Sequence, residues 1–565
     1  MRNKIVLLGL ICIIAFILRF YKLGEIPNGL QRDETSLGYN AYSILLTARD
    51  EHGVFLPQNF KAFGEYKLPG YIYTLVPFIQ VFGLTPFSVR LPSALFGICT
   101  VLLMYFLVKE LFSSRNYELG TTNLPIIASL LLALNPWHIH FSRGAFEVTL
   151  ALFFLTAGTY LFLVGIRKQP LIIVLSLISF ALSAYTYNIS RLFVPLFLLY
   201  ILFTFRNQFL SLTKPIKLLL AITGILSFLP LVIGLLSQGG LSSTSGTFIF
   251  SSSAIQAPLL EYRSYLVSLP VFFVKLFFNS YILTMWHYLT NIVSYASVQF
   301  FFITGSLHGN HGIGTIGQWY LWEFIPIILG LLMLIRYKTQ KAESLLLVWI
   351  VLTVGIASLT REAPQATRSF FLIIPITICS GIGITWIIEH MKPHTNVSKI
   401  IASIGILFIA YNFVYYLTTY YVQFPVSYAK AWSSEDFLLS TYIQTHDKEY
   451  KSIIFDKNAG FTYTSFLFYT KYPPRDFQKA QWSTYDSEGF SFPVQFGKYE
   501  YKTIDWDLDM KRPNTLIITK AETLRTGITP IATFSFPTRP VVIALGQEIL
   551  QYPVTENAYA LVGTQ

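Results

Sequence analysis

The 565-residue chain predicts an α-helical polytopic membrane protein of about eleven transmembrane helices followed by a small C-terminal α/β domain. Three observations carry this expectation. The composition is 53% hydrophobic and only 12% charged, with 49 Phe and 35 Tyr, which cannot furnish an ordinary soluble surface. Apolar runs long enough to cross a bilayer recur along the first 421 positions. Beyond them the pattern changes to short apolar stretches, "KSIIFDK", "NTLIITK" and "RPVVIAL", which read as strands, beside "AGFTYTSFLFYTK", which reads as a helix.

The spans are expected at 4–21, 86–108, 122–135, 145–165, 170–187, 191–205, 216–236, 320–336, 344–360, 367–388 and 399–421. The first ends in "LRFYKLGEIP" without a small-residue cleavage site, which predicts a retained anchor. Lys and Arg cluster in alternate loops: Arg2 and Lys4, Lys109 and Arg115, Arg167 and Lys168, Arg206 to Lys217, Arg336 to Lys341, and Lys392 with Lys399. Cytoplasmic loops carry that excess, so the N-terminus is expected in the cytoplasm and the C-terminus outside it, in a multi-pass protein of the plasma membrane. The expected division is a membrane domain at 1–421, with outer loops at 22–85 and 237–319, and an extracytoplasmic α/β domain at 422–565.

The same asymmetry accounts for the net charge of +12, and no basic stripe suited to nucleic acid is present. Cys12, Cys99 and Cys379 all fall inside apolar runs, which leaves no disulfide framework or thiolate metal site to read. The stretch 70–84, interrupted by Pro77 and Gly83, suits an interfacial helix. The loop 237–319 is glycine-rich at both ends, with "GGLSSTSG" at its start and apolar stretches such as "VFFVKLFF" inside it.

Candidate chemistry gathers on the outer side. "GLQRDETSLGYNAY", residues 29–42, places Asp33 beside Glu34 just beyond the first span. Adjacent side chains on a helix or turn point in different directions, so one carboxylate is free to face a substrate while the other holds the loop. Asp33 also suits the N-cap of a helix beginning at "ETSLGYNAYSILL". In "NPWHIHFSRGAFEVTLALFF" (135–154), Arg143 and Glu147 stand four apart, as on one helix face, which fits either a salt bridge or a shared functional face. Trp137, His138 and His140 read as interfacial aromatics. "AFGEYKLPGYIY" adds Glu65 and Lys67 beside a proline-anchored turn.

Outer loops should be poor in cations, yet Arg143, Arg191, Arg361 and Arg368 lie in them, and Arg19 and Arg90 at outer span ends. As a group they point to an anion such as phosphate; singly, each can pair with a carboxylate or snorkel. His308 and His311 in "HGNHG" have ligand-like spacing, which is compatible with a divalent metal or an acceptor contact, and no metal ligand set is assigned.

An Asp–Glu pair soon after the first span, the lysine–proline turn, "FSVRLPSALFG" opening the second span and "NPWHIHFSRGAFE" between the third and fourth together resemble membrane glycosyltransferases of the GT-C fold. Within that fold they look like protein O-mannosyltransferases and the bacterial aminoarabinose transferases that modify lipid A. "APQATRSFFLIIPI" (363–376) resembles the late-span arginine region of such enzymes. The resemblance implies transfer of a sugar from an undecaprenyl or dolichyl phosphate donor to a hydroxyl of a protein, lipid or glycan, outside the cytoplasm. It implies Asp33 as general base, Glu34 supporting the loop and Glu147 orienting acceptor or base. Lys67, Arg143 and Arg368 would hold the donor phosphate. The chain departs from the pattern in having Glu at 147 where relatives often have Asp, and in placing Leu68 between Lys67 and Pro69.

The chemistry agrees with that implication. A glycosyl phosphate carries its own leaving group, so one base and several cations suffice, whereas a glycosidase needs an acid and a base. The short cytoplasmic loops leave no room for a nucleotide-binding domain. A transporter would place its ionisable groups at mid-membrane, often in repeated halves, and no repeat is visible. A catalytically inactive scaffold for envelope glycan assembly leaves the acidic pair and the arginines unexplained. A polymerase or ligase of lipid-linked glycans is not expected to carry the first-loop pair. The 237–319 loop is too short and apolar for the inserted domain of eukaryotic O-mannosyltransferases, which favours a bacterial or archaeal protein.

Overall fold

The computed structural model describes residues 2–63, 65–113, 123–236, 248–250, 252–266, 268–306, 308–338, 340–390, 396–460, 462–483, 491–536, 540–545, 548–553 and 557–564. Arg115, Lys392 and "GGLSSTSG" lie outside them. The chain opens with α1 (Arg2–Phe20), α2 (Arg32–Thr47), a hairpin of β1 (Phe60–Ala62) and β2 (Glu65–Lys67), and α3 (Pro69–Phe82). There follow α4 (Pro86–Leu111), α5 (Leu124–Leu134), α6 (Pro136–Arg143), α7 (Glu147–Arg167), α8 (Ile172–Thr186) and α9 (Asn188–Thr204). Further helices include Lys214–Leu236, Phe324–Arg336, Lys341–Ser358, Ile373–His390 and Asn396–Thr418.

A helix stands at each of the eleven expected spans, but their lengths differ. Among the described residues seven are long and apolar enough to cross a membrane, and eight if α5 and α6, bent by 56°, count as one. The remaining three, α8, α9 and Phe324–Arg336, have 15, 17 and 13 residues, short of the ~20 that a perpendicular crossing takes. The 56° bend falls where Pro136 removes a backbone donor after Asn135, which the apolar run alone does not reveal. The chain is a multi-pass membrane protein.

By packing, the chain divides into two compact units. One comprises Met1–Tyr21, Ser93–Ser142 and Phe146–Tyr416; the other comprises Lys22–Pro92, Arg143–Ala145 and Leu417–Gln565. In the first, bare glycine surfaces allow close helix contact. A Cβ on Gly330 would strike the Cys379 carbonyl and one on Gly383 the Pro326 carbonyl, so small residues let helices Phe324–Arg336 and Ile373–His390 approach backbone to backbone. Between α7 and α8 the Ser176 hydroxyl donates to the Gly158 carbonyl at 2.7 Å. Cys379 is buried, Cys12 partly so and Cys99 exposed, and all three are free thiols. Trp137, His138 and His140 do not sit at an exposed rim as expected but are buried, with Trp137 edge-on to Trp319 and Phe370, because the bend turns this segment back into the helical core.

The second unit holds a mixed seven-stranded sheet of order β4-β5-β6-β3-β7-β11-β8. Its strands are β3 (Ser452–Asp456), β4 (Gln481–Trp482), β5 (Pro493–Phe496), β6 (Tyr499–Lys502), β7 (Thr515–Lys520), β8 (Ala532–Ser535) and β11 (Asn557–Gly563). Central β3 runs parallel to both β6 and β7, and Ile454, Ile517 and Val562 form a core patch. β9 (Pro540–Leu545) and β10 (Glu548–Pro553) form a separate hairpin. The expected 22–85 loop is thus largely ordered, and α2 is buried along Glu34–Ala41 against helix Tyr463–Thr470. Thr35 and Thr464 share a 2.9 Å hydrogen bond there, and a side chain on Gly38 would collide with the Phe468 ring and with Val89.

Candidate active site

α2 begins one residue before the acidic pair, so Asp33 and Glu34 both lie in its first turn, where carboxylates complement the helix dipole. The N-cap is Gln31 rather than Asp33; Glu34, three positions on, reaches back to accept from the Gln31 N–H at 3.3 Å. Capping by Glu34 leaves Asp33 to point elsewhere.

Glu34 is fully buried and forms a two-point ion pair with Arg90, Nε to Oε1 at 3.0 Å and Nη2 to Oε2 at 3.1 Å. Its Oε1 also accepts from the Ala145 N–H at 2.8 Å. Arg90 donates further to the carbonyls of Leu23, Pro27 and Gly29 and lies over the Trp432 ring. Gly29 has φ +90, and a Cβ there would run into the Trp432 carbonyl, so only glycine brings this carbonyl to the guanidinium. One carboxylate and one guanidinium thereby fasten the 23–31 segment, the start of α4 and the 143–145 connection.

Asp33 has the opposite setting. Its side chain is 46% exposed and accepts from Lys67 Nζ at 2.7 Å, whereas the lysine side chain is 11% exposed. Lys67 ends the β1–β2 hairpin opposite Phe60, and Pro69 opens α3 two positions on, after the N-cap Leu68, so the lysine stem is set by rigid elements on both sides. The Arg32 guanidinium lies 5.4 Å from the Phe63 ring centre, tying the same hairpin to the first turn of α2.

A third carboxylate was not legible as functional in the sequence. Glu51 is fully buried just beyond α2; the Tyr463 hydroxyl donates to its Oε1 at 3.1 Å, and Oε2 has no hydrogen-bond partner among the described residues. Burial, then the neighbouring Asp50, push its carboxyl up to about 8, and Lys67 lies close enough to pull it back in part. Beside it, burial drives the His52 imidazole down to about 4, and its ring packs 4.1 Å from that of Trp482. The signal that was available is "RDEHG", a second acidic pair followed by histidine in the same segment.

The other expected residues divide between the units. Arg143 and Glu147 do not share a helix face: α6 ends at Arg143, α7 begins at Glu147, and the glycine-containing break between them resets the helical phase. Arg143 is fully buried, donates to the Ile26 carbonyl at 3.0 Å and to that of Lys22 at 3.5 Å, and lies over Tyr421 and Tyr420. Arg19 is likewise buried, bonded to the Ala133 carbonyl and His138 Nδ1. Several arginines expected to face an anion therefore satisfy backbone carbonyls. In the helical unit, Glu147 and Arg368 both lie within electrostatic range of the Tyr187 hydroxyl, and Arg368 pairs with Glu362 at 3.7 Å. The His308 and His311 rings lie 5.9 Å apart, His311 Nδ1 is 3.3 Å from the Gln365 amide, and among the described residues no three His, Cys, Asp or Glu converge as a metal site.

Comparison with known proteins bears on the fold. Residues 67–233 match the family model of dolichyl-phosphate-mannose-protein mannosyltransferase. A Bacillus subtilis (strain 168) protein, "Putative mannosyltransferase YkcB", is 32% identical over 151 residues, a quarter of this chain. The chain spans about a fifth of the length of that curated relative (20%). Among solved structures, ArnT from Cupriavidus metallidurans bound to undecaprenyl phosphate superposes with a TM-score of 0.53 at 11% identity, over 94% of this chain and 96% of that one. The same protein in the apo state gives 0.50 at 10% identity, over 100% and 99%.

Proposed function

We propose that this chain, which carries the GT-C fold of membrane glycosyltransferases, moves a sugar from a polyprenyl-phosphate carrier to an acceptor hydroxyl at the extracytoplasmic face. The observation that carries the reading is the divided acidic pair. Glu34 is consumed by the Arg90 lock, while Asp33 is exposed, held by Lys67 at 2.7 Å and backed by a buried frame. A general base needs access to its proton source, and a departing phosphate needs a cation.

In the reaction Asp33 takes the proton of the acceptor hydroxyl as its oxygen bonds to the anomeric carbon. The bond from that carbon to the carrier phosphate breaks on the opposite face, its electron pair leaving with the phosphate, so the configuration inverts. Lys67, paired with Asp33 in the resting chain, shifts to the phosphate as negative charge moves between them. Arg143 acts by holding the 22–26 segment. The donor class follows the undecaprenyl phosphate of the solved neighbour and the dolichyl-phosphate-mannose of the matched family.

The test is a thermal-shift titration of detergent-purified protein with undecaprenyl phosphate, followed by transfer assays with carrier-linked sugars. Stabilisation by the carrier that weakens in Lys67→Ala, with transfer lost in Asp33→Asn, supports the reading. Turnover near wild type in Asp33→Asn would sink it.

A further inference from the structure

The seven-stranded sheet contains a point where its chain exits diverge. β3 lies between β6 and β7 and is parallel to both. The segment leaving β3 continues to β4, β5 and β6 on one side of it, whereas the segment leaving β7 continues to β8 and β11 on the other. In sheets of this kind the crevice outside the carboxyl ends of two parallel strands whose exits part is where ligands bind. A cavity of about 230 Å³ lies there, lined by Gly460 after β3 and by Lys520 and Glu522 at and after the end of β7.

Its walls alternate in chemistry. Lys430 and Lys520 supply ammonium donors, Glu435 and Glu522 supply carboxyls, and Phe536 and Tyr559 supply ring surface. Lys430 Nζ lies 5.7 Å from the Phe536 ring centre, and Tyr559 donates to Asp436 at 3.0 Å, which fixes its ring in the wall. Glu435 is buried, and burial and then the adjacent Asp436 hold its carboxyl above the usual range, so near neutral pH it can donate as well as accept. A metal cation would meet two ammonium groups here, each a repulsive neighbour, and a phosphate would meet the Glu522 carboxylate. A ring of hydroxyls pairs with both kinds, because each hydroxyl donates and accepts, and its C–H faces suit aromatic rings. The volume lies below the roughly 300–1,000 Å³ of pockets for drug-sized ligands, which limits the occupant to a single ring.

We propose that this crevice binds one pyranose-sized sugar residue, at a place separate from Asp33. The inference goes beyond the transfer reading, since binding here needs neither donor nor catalysis.

The experiment is saturation-transfer-difference NMR on the detergent-purified full chain with D-mannose, D-glucose, D-galactose and, as a zwitterionic control, L-alanine. Wild type, Asp33→Asn, Lys520→Ala and Glu522→Gln are compared, with melting temperatures recorded for each. The expected result is saturation of at least one hexose in wild type and in Asp33→Asn, reduced at least fivefold in Lys520→Ala and reduced in Glu522→Gln. Exposed Glu522 carries the test if Lys520→Ala does not fold. Three results would each overturn the proposal: no hexose signal, a signal unchanged in both crevice variants, or a signal from L-alanine alone. A hexose signal lost in Asp33→Asn but kept in Lys520→Ala would place the sugar at the Asp33 site, overturning this inference while leaving the transfer reading intact.

Discussion

Two acidic pairs stand in the segment between α1 and α3, Asp33–Glu34 on the first turn of α2 and Asp50–Glu51 beyond its end, and their surroundings give them different work. In each pair the second carboxylate is fully buried. Glu34 faces a guanidinium and two backbone N–H groups; Glu51 faces a tyrosine hydroxyl and keeps one oxygen without a partner among the described residues. The first residues differ as well. Asp33 is half exposed beside an ammonium, whereas Asp50 folds back to accept from the His52 and Val54 N–H groups, closing a turn. The difference teaches that a carboxylate's role here is set by which donor reaches it and how far it is covered: a guanidinium makes a lock, a hydroxyl leaves a buried acid, and a largely buried ammonium beside a half-exposed carboxylate leaves a base accessible.

The sharpest way to break the comparison is to neutralise Asp33. Asp33→Asn should lower turnover by about 10²–10⁴-fold, the usual share of a general base, with melting temperature nearly unchanged. The readout is product formation from a carrier-linked sugar under saturating donor. Removing one partner of the buried lock should act on stability instead. Arg90→Met or Glu34→Ala should cost about 3–5 kcal/mol by leaving an uncompensated buried charge, read from denaturant or thermal unfolding. A double variant that loses much less than the sum of the two would show the pair acting as a unit.

A smaller effect is expected at Lys67. Lys67→Ala should weaken carrier stabilisation by about tenfold in apparent affinity, or ~1.4 kcal/mol, with Lys67→Arg recovering part of it. Equal carrier titration curves for Lys67→Ala and wild type would remove the lysine from the donor site.

The smallest effect is a pH slope at Glu51. Its carboxyl is raised from 4.5 to about 8, so between those values the folded chain holds a proton that the unfolded chain has released. This contribution to stability therefore falls as pH rises through that window. His52, lowered from 6.5 to about 4, acts in the opposite sense: its unfolded form takes up a proton below pH 6.5, so its contribution rises with pH up to there. Between pH 6.5 and 8 Glu51 acts without that opposition. Across that interval Glu51→Gln should flatten the wild-type slope, by no more than ~1.4 kcal/mol per pH unit. Parallel stability curves for variant and wild type would contradict the buried acid.

Much of the fold was legible because a bilayer imposes length and apolarity on every span, and a helix stands at each expected place. What composition could not reveal is that α8, α9 and Phe324–Arg336 are short and that the Asn135–Pro136 step bends its helix pair, since run length counts residues without registering where the backbone turns. At the candidate site the acidic pair was visible as adjacent letters, and its division of labour followed from side chains diverging along a helix. That Arg143 and Arg90 serve backbone carbonyls and that Glu51 is buried beside Tyr463 were not visible, because those partners are remote in the chain.

By itself, then, the sequence determined a membrane chain with an acidic first loop and a strand-rich tail, because hydropathy and local periodicity are properties of neighbouring residues. Only the tertiary structure decided which carboxylate is locked, which is exposed and which is buried with an unpaired oxygen. Those outcomes depend on donors delivered from Arg90, Lys67 and Tyr463, residues whose approach to α2 is set by packing and by no pattern within α2 itself.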